Sequence, residues 1–235
     1  MKFKLFTLPN IITCLNLVSG CLAIERAFHG DFLWAFLFVV IAAVFDFLDG
    51  FFARLLKAYS EIGKELDSLA DMVSFGAAPA FVLFNYMQLH TEAGWLAYAA
   101  FIIPAFSALR LAKFNLDTRQ NEEFIGLPTP ANTLLIVSYI YAAQQNPLLS
   151  PGNSGWALVV GSIILSVLLV SEIPMFSLKF KRFGWRGNEL RYIFLLCSAV
   201  LLAVFRLEGV PVILSGYIVV SVIRAIFLRQ VKPAQ

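Results

Sequence analysis

The chain has 235 residues, of which 60% are hydrophobic and 14% charged, and its formal net charge is +3. The charged share is about half that of an ordinary soluble domain, and the mean hydropathy is +0.79. A disordered chain, a coiled coil and a soluble globule are thereby excluded: a soluble fold of this size cannot hide so much apolar surface, whereas a bilayer solvates it.

Eight apolar stretches predict an all-α fold, a polytopic transmembrane helical bundle of about eight spans in one domain, 1–235. They run roughly over 9–28, 32–57, 63–90, 94–116, 129–146, 154–172, 188–206 and 209–230. Most approach the ~20 residues that cross hydrocarbon, and they are too long for barrel strands. Pro9-Asn10 reads as the start of the first helix. Val18-Ser19-Gly20-Cys21 has the small-residue pattern of a lipoprotein cleavage site. Thr13 and Asn16 interrupt the apolar run before it and further spans follow, so this stretch is read as a retained helix. Turn-forming breaks fall at His29-Gly30-Asp31, Glu61–Lys64, Thr91–Gly94, Gly126–Pro130, Pro147–Gly155, Lys179–Gly187 and Glu208–Pro211.

With the N-terminus inside, every Lys and Arg except Arg26 and Arg206 falls on one set of helix ends. The positive-inside rule then predicts a multi-pass protein of the cell inner membrane with both termini cytoplasmic. Lys179, Lys181, Arg182, Arg186 and Arg191 belong to that signal, although such clusters also attract anionic headgroups. Cys14, Cys21 and Cys197 are too few for a disulfide scaffold and read as apolar helix filler. His29 and His90 read as surface residues of the outer side, and Trp95, Trp156 and Trp185 sit near span ends as interfacial aromatics do.

Four carboxylates break the apolar pattern: Asp46, Asp49, Asp67 and Asp71. Each costs a few kcal/mol near the bilayer core, so something must neutralise them. Oxygen-only ligands favour hard divalent cations, Mg²⁺ or Mn²⁺, with Ca²⁺ as another occupant. At 100° per residue Asp46, Asp49, Gly50, Ala53 and Arg54 share an arc of about 140° on the second helix. Gly63, Asp67 and Asp71 recur every four residues on the third. A short turn joins the two helices, so the faces are expected to meet near the cytoplasmic side. The glycines and Ala53 leave room for a ligand, and Arg54 suits a phosphate. Two metals held by four carboxylates suit phosphoryl or phosphatidyl transfer. The competing reading is a salt-bridge lattice with Arg54, Lys57 and Lys64. A cation transporter is the other class weighed, but a path would spread polar groups across the membrane depth.

The spacing Asp46-x2-Asp49-Gly50-x2-Ala53-Arg54-x8-Gly63-x3-Asp67-x3-Asp71 resembles the signature of the CDP-alcohol phosphotransferase family, with every fixed position present. The resemblance covers roughly the first six spans. It implies a CDP-linked substrate, two divalent ions on Asp46, Asp49, Asp67 and Asp71, and Asp71 as general base. It also implies CDP contacts from Asn10, Asp49, Gly50, Ala53, Arg54 and Gly63. A core of 1–172 would be followed by a cytoplasmic basic loop and two extra spans, 173–235.

Leu66–Ala70 with Asp71, Ser74-Phe75-Gly76 and Pro79, then Arg110–Asn115 and Gly126–Pro130, resemble the bacterial membrane branch whose acceptor is serine. That branch transfers the phosphatidyl group of CDP-diacylglycerol to L-serine and releases CMP. The commoner form has Arg at position 113; Lys113 keeps the charge without the planar fork. Ser74, Arg110, Lys113, Asn115 and Thr129 are the expected contacts to serine or phosphate. Glycerol-3-phosphate or inositol phosphate is the alternative acceptor and would need a denser cationic pocket. The resemblance further implies a homodimer among membrane lipids; nucleic acid is not an expected partner.

Overall fold

The computed structural model describes residues 5–117, 125–146, 155–176, 184, 185 and 187–231. Lys2, Lys4, Arg119, Lys179, Lys181, Arg182, Arg186 and Lys232, expected on the basic side, lie outside the described residues, as do 147–154 of the predicted Pro147–Gly155 break. The elements are α1 (Leu8–Phe28), α2 (Phe32–Leu55), α3 (Glu61–Asp71), a π-helical stretch (Met72–Ala77) and α4 (Ala78–His90). A 3₁₀ stretch (Gly94–Phe101) leads into α5 (Ile102–Leu116), followed by α6 (Thr129–Gln145) and α7 (Trp156–Val170). The chain ends with α8 (Glu189–Phe205), a 3₁₀ turn (Arg206–Gly209) and α9 (Val210–Val231). Among the described residues five stretches are long and apolar enough to cross a membrane: Leu8–Phe28, Phe32–Leu55, Glu61–His90, Gly94–Leu116 and Glu189–Phe227. Trp156–Val170 is a shorter apolar helix.

Side chains cap the starts of the first three helices. Thr7 accepts from the Asn10 amide, Asp31 from Trp34 and Ser60 from Gly63, which satisfies donors the helix leaves open. The break expected at Glu61–Lys64 falls earlier, at Leu56–Ser60. Lys57 turns the chain with φ 51°, and the Ser60 cap starts α3 at Glu61.

The predicted third span is not one uniform helix. After Asp71 the winding widens to a π-helical stretch, and the Ala78 amide donates to the Val73 carbonyl, five residues back. Pro79 has no amide to offer the Phe75 carbonyl four residues earlier. Thr133 of α6 donates its hydroxyl to that carbonyl instead, at 2.7 Å. Lipid cannot satisfy a freed carbonyl, so a neighbouring helix must. Ser74 donates to the Asn16 carbonyl of α1 at 3.0 Å. A Cβ on Gly20 would stand 2.7 Å from the Ser74 Cα, so only glycine lets α1 and the π stretch approach this closely.

The most extensive helix pair is α1 with α2; α1 also packs on α3, the π stretch and α4, while α6 packs on α2, α4 and α9, and α5 on α7. The core lies between them around Phe36, Val39, Val82, Met87, Ile103 and Ile140. Cross-helix contacts sort the ends into two groups. At one end Lys64 donates to the Asn115 carbonyl, Lys113 pairs with Glu172, and the Leu127 amide donates to Leu168. At the other, Trp95 meets Trp156 edge-on at 6.2 Å and Gln144 reaches Gly30. Gly126 has φ 77°, and a Cβ there would lie 2.6 Å from the Leu169 carbonyl, so the entry to α6 depends on glycine. Cys14, Cys21 and Cys197 are unpaired and exposed on helix faces. No residue of α8 is buried; Phe194 packs on Phe176 and Tyr217, and most of the helix's apolar surface is exposed.

Gly20→Val should lower the apparent melting temperature in mild detergent by the equivalent of about 1–3 kcal/mol, the usual effect of overpacking. Unchanged melting would show that the α1–π crossing is looser than described.

Candidate active site

Three carboxylates converge at the end of the bundle that carries Lys64 and Lys113. One ligand oxygen from each of Asp46, Asp49 and Asp67 lies within 4.8 Å of the others. Two come from the last turns of α2 and one from α3, whose facing is set by the Leu56–Ser60 turn. Asp71 stands one turn beyond Asp67, close enough to Asp46 and Asp67 to feel their charge. Asp49 is buried, and the other three are half-buried.

Helix α1 supplies the partners. Thr13 donates its hydroxyl to Asp49 Oδ2 at 2.6 Å, and Asn16 donates its amide to Asp71 Oδ1 at 3.2 Å. Asn10, Thr13, Asn16 and Ser19 are all buried, so α1 turns a polar stripe toward the acids. In the sequence Thr13 belongs to the entry Pro9-Asn10-x2-Thr13, which resembles a family segment near the nucleotide, whereas Asn16 stands out only as an interruption of an apolar run. Their spacing of three was the available signal, because residues three apart share a helix face.

Around the carboxylates, Asp67 Oδ1 and Asn16 Oδ1 are buried acceptors without a hydrogen-bond partner among the described residues. An oxygen-only set of three convergent carboxylates with an unpartnered buried oxygen fits a hard divalent cation. The salt-bridge lattice does not form among the described residues. Arg54 and Lys57 are exposed, and Lys64 turns instead to the Asn115 carbonyl at 3.0 Å.

Beside the carboxylates opens a cavity of about 560 Å³. Five of the six residues expected to contact CDP line it: Asn10, Asp49, Gly50, Ala53 and Gly63. Arg54 is outside the lining, exposed, with a guanidinium nitrogen 3.9 Å from where a Cβ on Gly50 would sit. Tyr59 and Ser60 of the turn and Lys64 of α3 also line it, and nothing in the sequence pattern singles them out as ligands. A Cβ on Gly63 would lie 3.1 Å from Asn10 Oδ1, so Gly63 keeps this space open.

The residues expected to meet serine are spread more widely. Arg110 is buried on α5, within Coulombic reach of Asp71, with its guanidinium 4.7 Å over the Phe114 ring. Ser74 is occupied by the Asn16 carbonyl. Asn115 donates to Ser68 at 2.8 Å, which ties α5 to α3. Lys113 is held by Glu172 and the Val170 carbonyl at the end of α7. Thr129 is buried at the first turn of α6, and its carbonyl accepts from Thr133. His29 and His90 are exposed at helix ends; His29 meets Glu25, and the His90 ring stacks on Tyr86 at 4.4 Å.

The model of the CDP-alcohol phosphatidyltransferase family matches residues 6–169, which include every carboxylate of the cluster and end at the last turn of α7. The chain belongs to the CDP-alcohol phosphatidyltransferase family. A Helicobacter pylori protein named CDP-diacylglycerol–serine O-phosphatidyltransferase is 34% identical over 227 residues, 95% of this chain and 93% of that protein. Proteins of the same name from Methanocaldococcus jannaschii and Bacillus subtilis are 34% and 36% identical. These two matches cover 73% and 71% of this chain, and 77% and 88% of those proteins. Family membership makes the cluster part of a transferase rather than of a cation path. Helices α8 and α9 lie beyond the family match.

Thr13→Val keeps the shape of the side chain and removes the hydroxyl that orients Asp49. It should raise the Mn²⁺ concentration needed for half-maximal thermal stabilisation about 10–100-fold, as loss of an outer-shell partner does. An unshifted Mn²⁺ titration would show that Thr13 does not orient a ligand.

Proposed function

We propose that this protein is a CDP-diacylglycerol–serine O-phosphatidyltransferase, which makes phosphatidylserine and CMP. The observation that carries the reading is the three-carboxylate cluster at the edge of the 560 Å³ cavity, on the residues of the family motif. The names of the relatives support serine as the acceptor.

Asp46, Asp49, Asp67 and Asp71 would hold two divalent ions in this proposal, which would supply charge neutralisation for a pyrophosphate and a departing phosphate. Asn10, Gly50, Ala53 and Gly63 shape the cavity for CDP, and Arg54 reaches the phosphates from the rim. The diacylglycerol tails remain in lipid. Asp71, oriented by Asn16, takes the proton of the serine hydroxyl. The serine oxygen forms a bond to the phosphorus that carries diacylglycerol, the bond from that phosphorus to the bridging oxygen breaks, and CMP leaves. Ser74, Lys113 and Asn115 act in this scheme by fixing the π stretch, α5 and α3.

In the cell inner membrane, eight spans with both termini cytoplasmic would place the carboxylate end at the cytoplasm, where serine is dissolved. The core then corresponds to 1–172, with the basic loop and last two spans in 173–235, and the working unit is a homodimer.

Purified protein given CDP-diacylglycerol, Mg²⁺ or Mn²⁺ and L-serine should release CMP, and should release less with glycerol-3-phosphate. Equal release with both acceptors would overturn the acceptor assignment. Asp71→Asn should slow turnover about 10²–10⁴-fold with CDP binding retained, the range for loss of a general base; full activity in that variant would remove Asp71 from that role.

A further inference from the structure

The π stretch between Asp71 and α4 is fixed from three sides on three successive residues. Ser74 donates to the Asn16 carbonyl of α1 at 3.0 Å, and the Phe75 carbonyl accepts from Thr133 of α6 at 2.7 Å. Gly76 faces α5, where a Cβ on it would stand 3.3 Å from the Ser107 Cβ. Thr133 and Phe75 are both 0% exposed. The Thr133 hydroxyl also lies 2.9 Å from the Thr129 carbonyl, the ordinary back-bond of a helical threonine. It is thus shared between its own helix and the π stretch. In the mechanism proposed above Ser74 helps to fix this stretch, and Thr133 has no part.

Thr133 meets a demand that lipid cannot. Pro79 has no amide for the Phe75 carbonyl four residues back, and a buried carbonyl without a partner is costly in a bundle solvated by lipid. Each residue turns an α-helix by about 100°, so the extra residue held in the π winding offsets α3 from α4 by about that angle. Relaxation of the winding would rotate the Asp67–Asp71 face of α3 away from Asp46 and Asp49 of α2. Asp71 is the last residue of α3 and adjoins the stretch. It also shares Asn16 with it: the Asn16 side chain donates to Asp71, and the Asn16 carbonyl accepts from Ser74. A movement of the π stretch therefore displaces Asp71 both along the chain and through Asn16. Helix α6, which packs on α2, α4 and α9, is the support from which Thr133 holds it.

We propose that Thr133 is a positioning residue for the transfer step: by taking the carbonyl that Pro79 leaves open, it holds the π stretch at the winding that aims Asp71 at the acceptor hydroxyl. This deepens the function proposed above and rests on it. Thr133 is wholly buried and outside the lining of the 560 Å³ cavity, so it acts through the backbone of the π stretch and not on a substrate. Its loss then falls on the rate of transfer and not on binding. The hydroxyl carries the effect and the methyl only packs. Serine would serve in its place, and valine, of the same shape, would not.

Thr133→Val in the full chain, assayed with CDP-diacylglycerol, L-serine and saturating Mn²⁺ well below its melting temperature, tests this. The kcat per folded molecule should fall about 10–100-fold, the effect of a small misplacement of a reacting group. The KM for each substrate should stay within about twofold, because the lost bond is not one made in binding. Thr133→Ser should return kcat to near the wild-type value. A Thr133→Val protein that melts lower but turns over at the wild-type rate would show the hydroxyl to be merely structural and overturn the proposal. A change confined to KM, or failure of Thr133→Ser to restore the rate, would overturn it too. If Thr133→Val does not fold, adding Pro79→Ala should recover both folding and rate, because the new amide can take the Phe75 carbonyl. A double variant that stays unfolded, or folds without regaining the rate, would overturn the proposal equally. Absence of serine-dependent CMP release in the wild type would instead remove the acceptor assignment, and is seen without any variant.

Discussion

A carboxylate inside a lipid-solvated bundle must be hydrogen-bonded, paired or bound to a cation, and this requirement organises the molecule. Four aspartates near one end of α2 and α3 would each cost a few kcal/mol if left alone, and together they repel one another. Helix α1 answers part of the demand with Thr13 on Asp49 and Asn16 on Asp71. The rest of the demand suits a divalent cation, since Asp46, Asp49 and Asp67 converge and one buried Asp67 oxygen has no partner among the described residues. The extensive contact of α1 along α2, and its reach onto α3, follow from the need to bring that polar stripe to the acids.

The π stretch after Asp71 transmits this constraint to the rest of the bundle. It touches α1 through Ser74, α5 through Gly76 and Ser107, and α6 through Phe75 and Thr133. Pro79 frees the Phe75 carbonyl and Thr133 takes it, so a break in one helix becomes a fastening to another. Any shift of α5 or α6 therefore reaches Asp71 within one helical turn. Several residues of the serine-branch resemblance serve this fastening: Ser74 bonds α1, Asn115 bonds α3, and Lys113 bonds the end of α7.

The helices were legible because length and apolarity are local properties. All eight predicted stretches hold helix, with ends within a few residues of those expected. The carboxylate motif was legible for the same reason, since residues three and four apart share a face whatever the helix packs against. The π stretch was not, because an extra residue per turn leaves the apolar pattern almost unchanged. The start of α3 was misplaced at Glu61–Lys64 because the Ser60 cap, rather than the charged run, sets it. Asn16 escaped notice as a carboxylate partner, and Thr133 was not singled out, because a polar residue in an apolar helix shows its purpose only when its neighbour across the interface is known.

By itself the sequence determined a membrane-solvated helical bundle, the family motif and the face on which each motif residue stands. These follow from composition and from the 3.6-residue repeat, which need no partner helix. Only the tertiary structure decided which carboxylates converge, that α1 supplies Thr13 and Asn16 to them, and that Lys113 and Ser74 fasten helices. It also gave the carbonyl that Pro79 leaves open to Thr133. Cross-helix hydrogen bonds depend on rotation, register and depth, and a linear pattern carries none of the three.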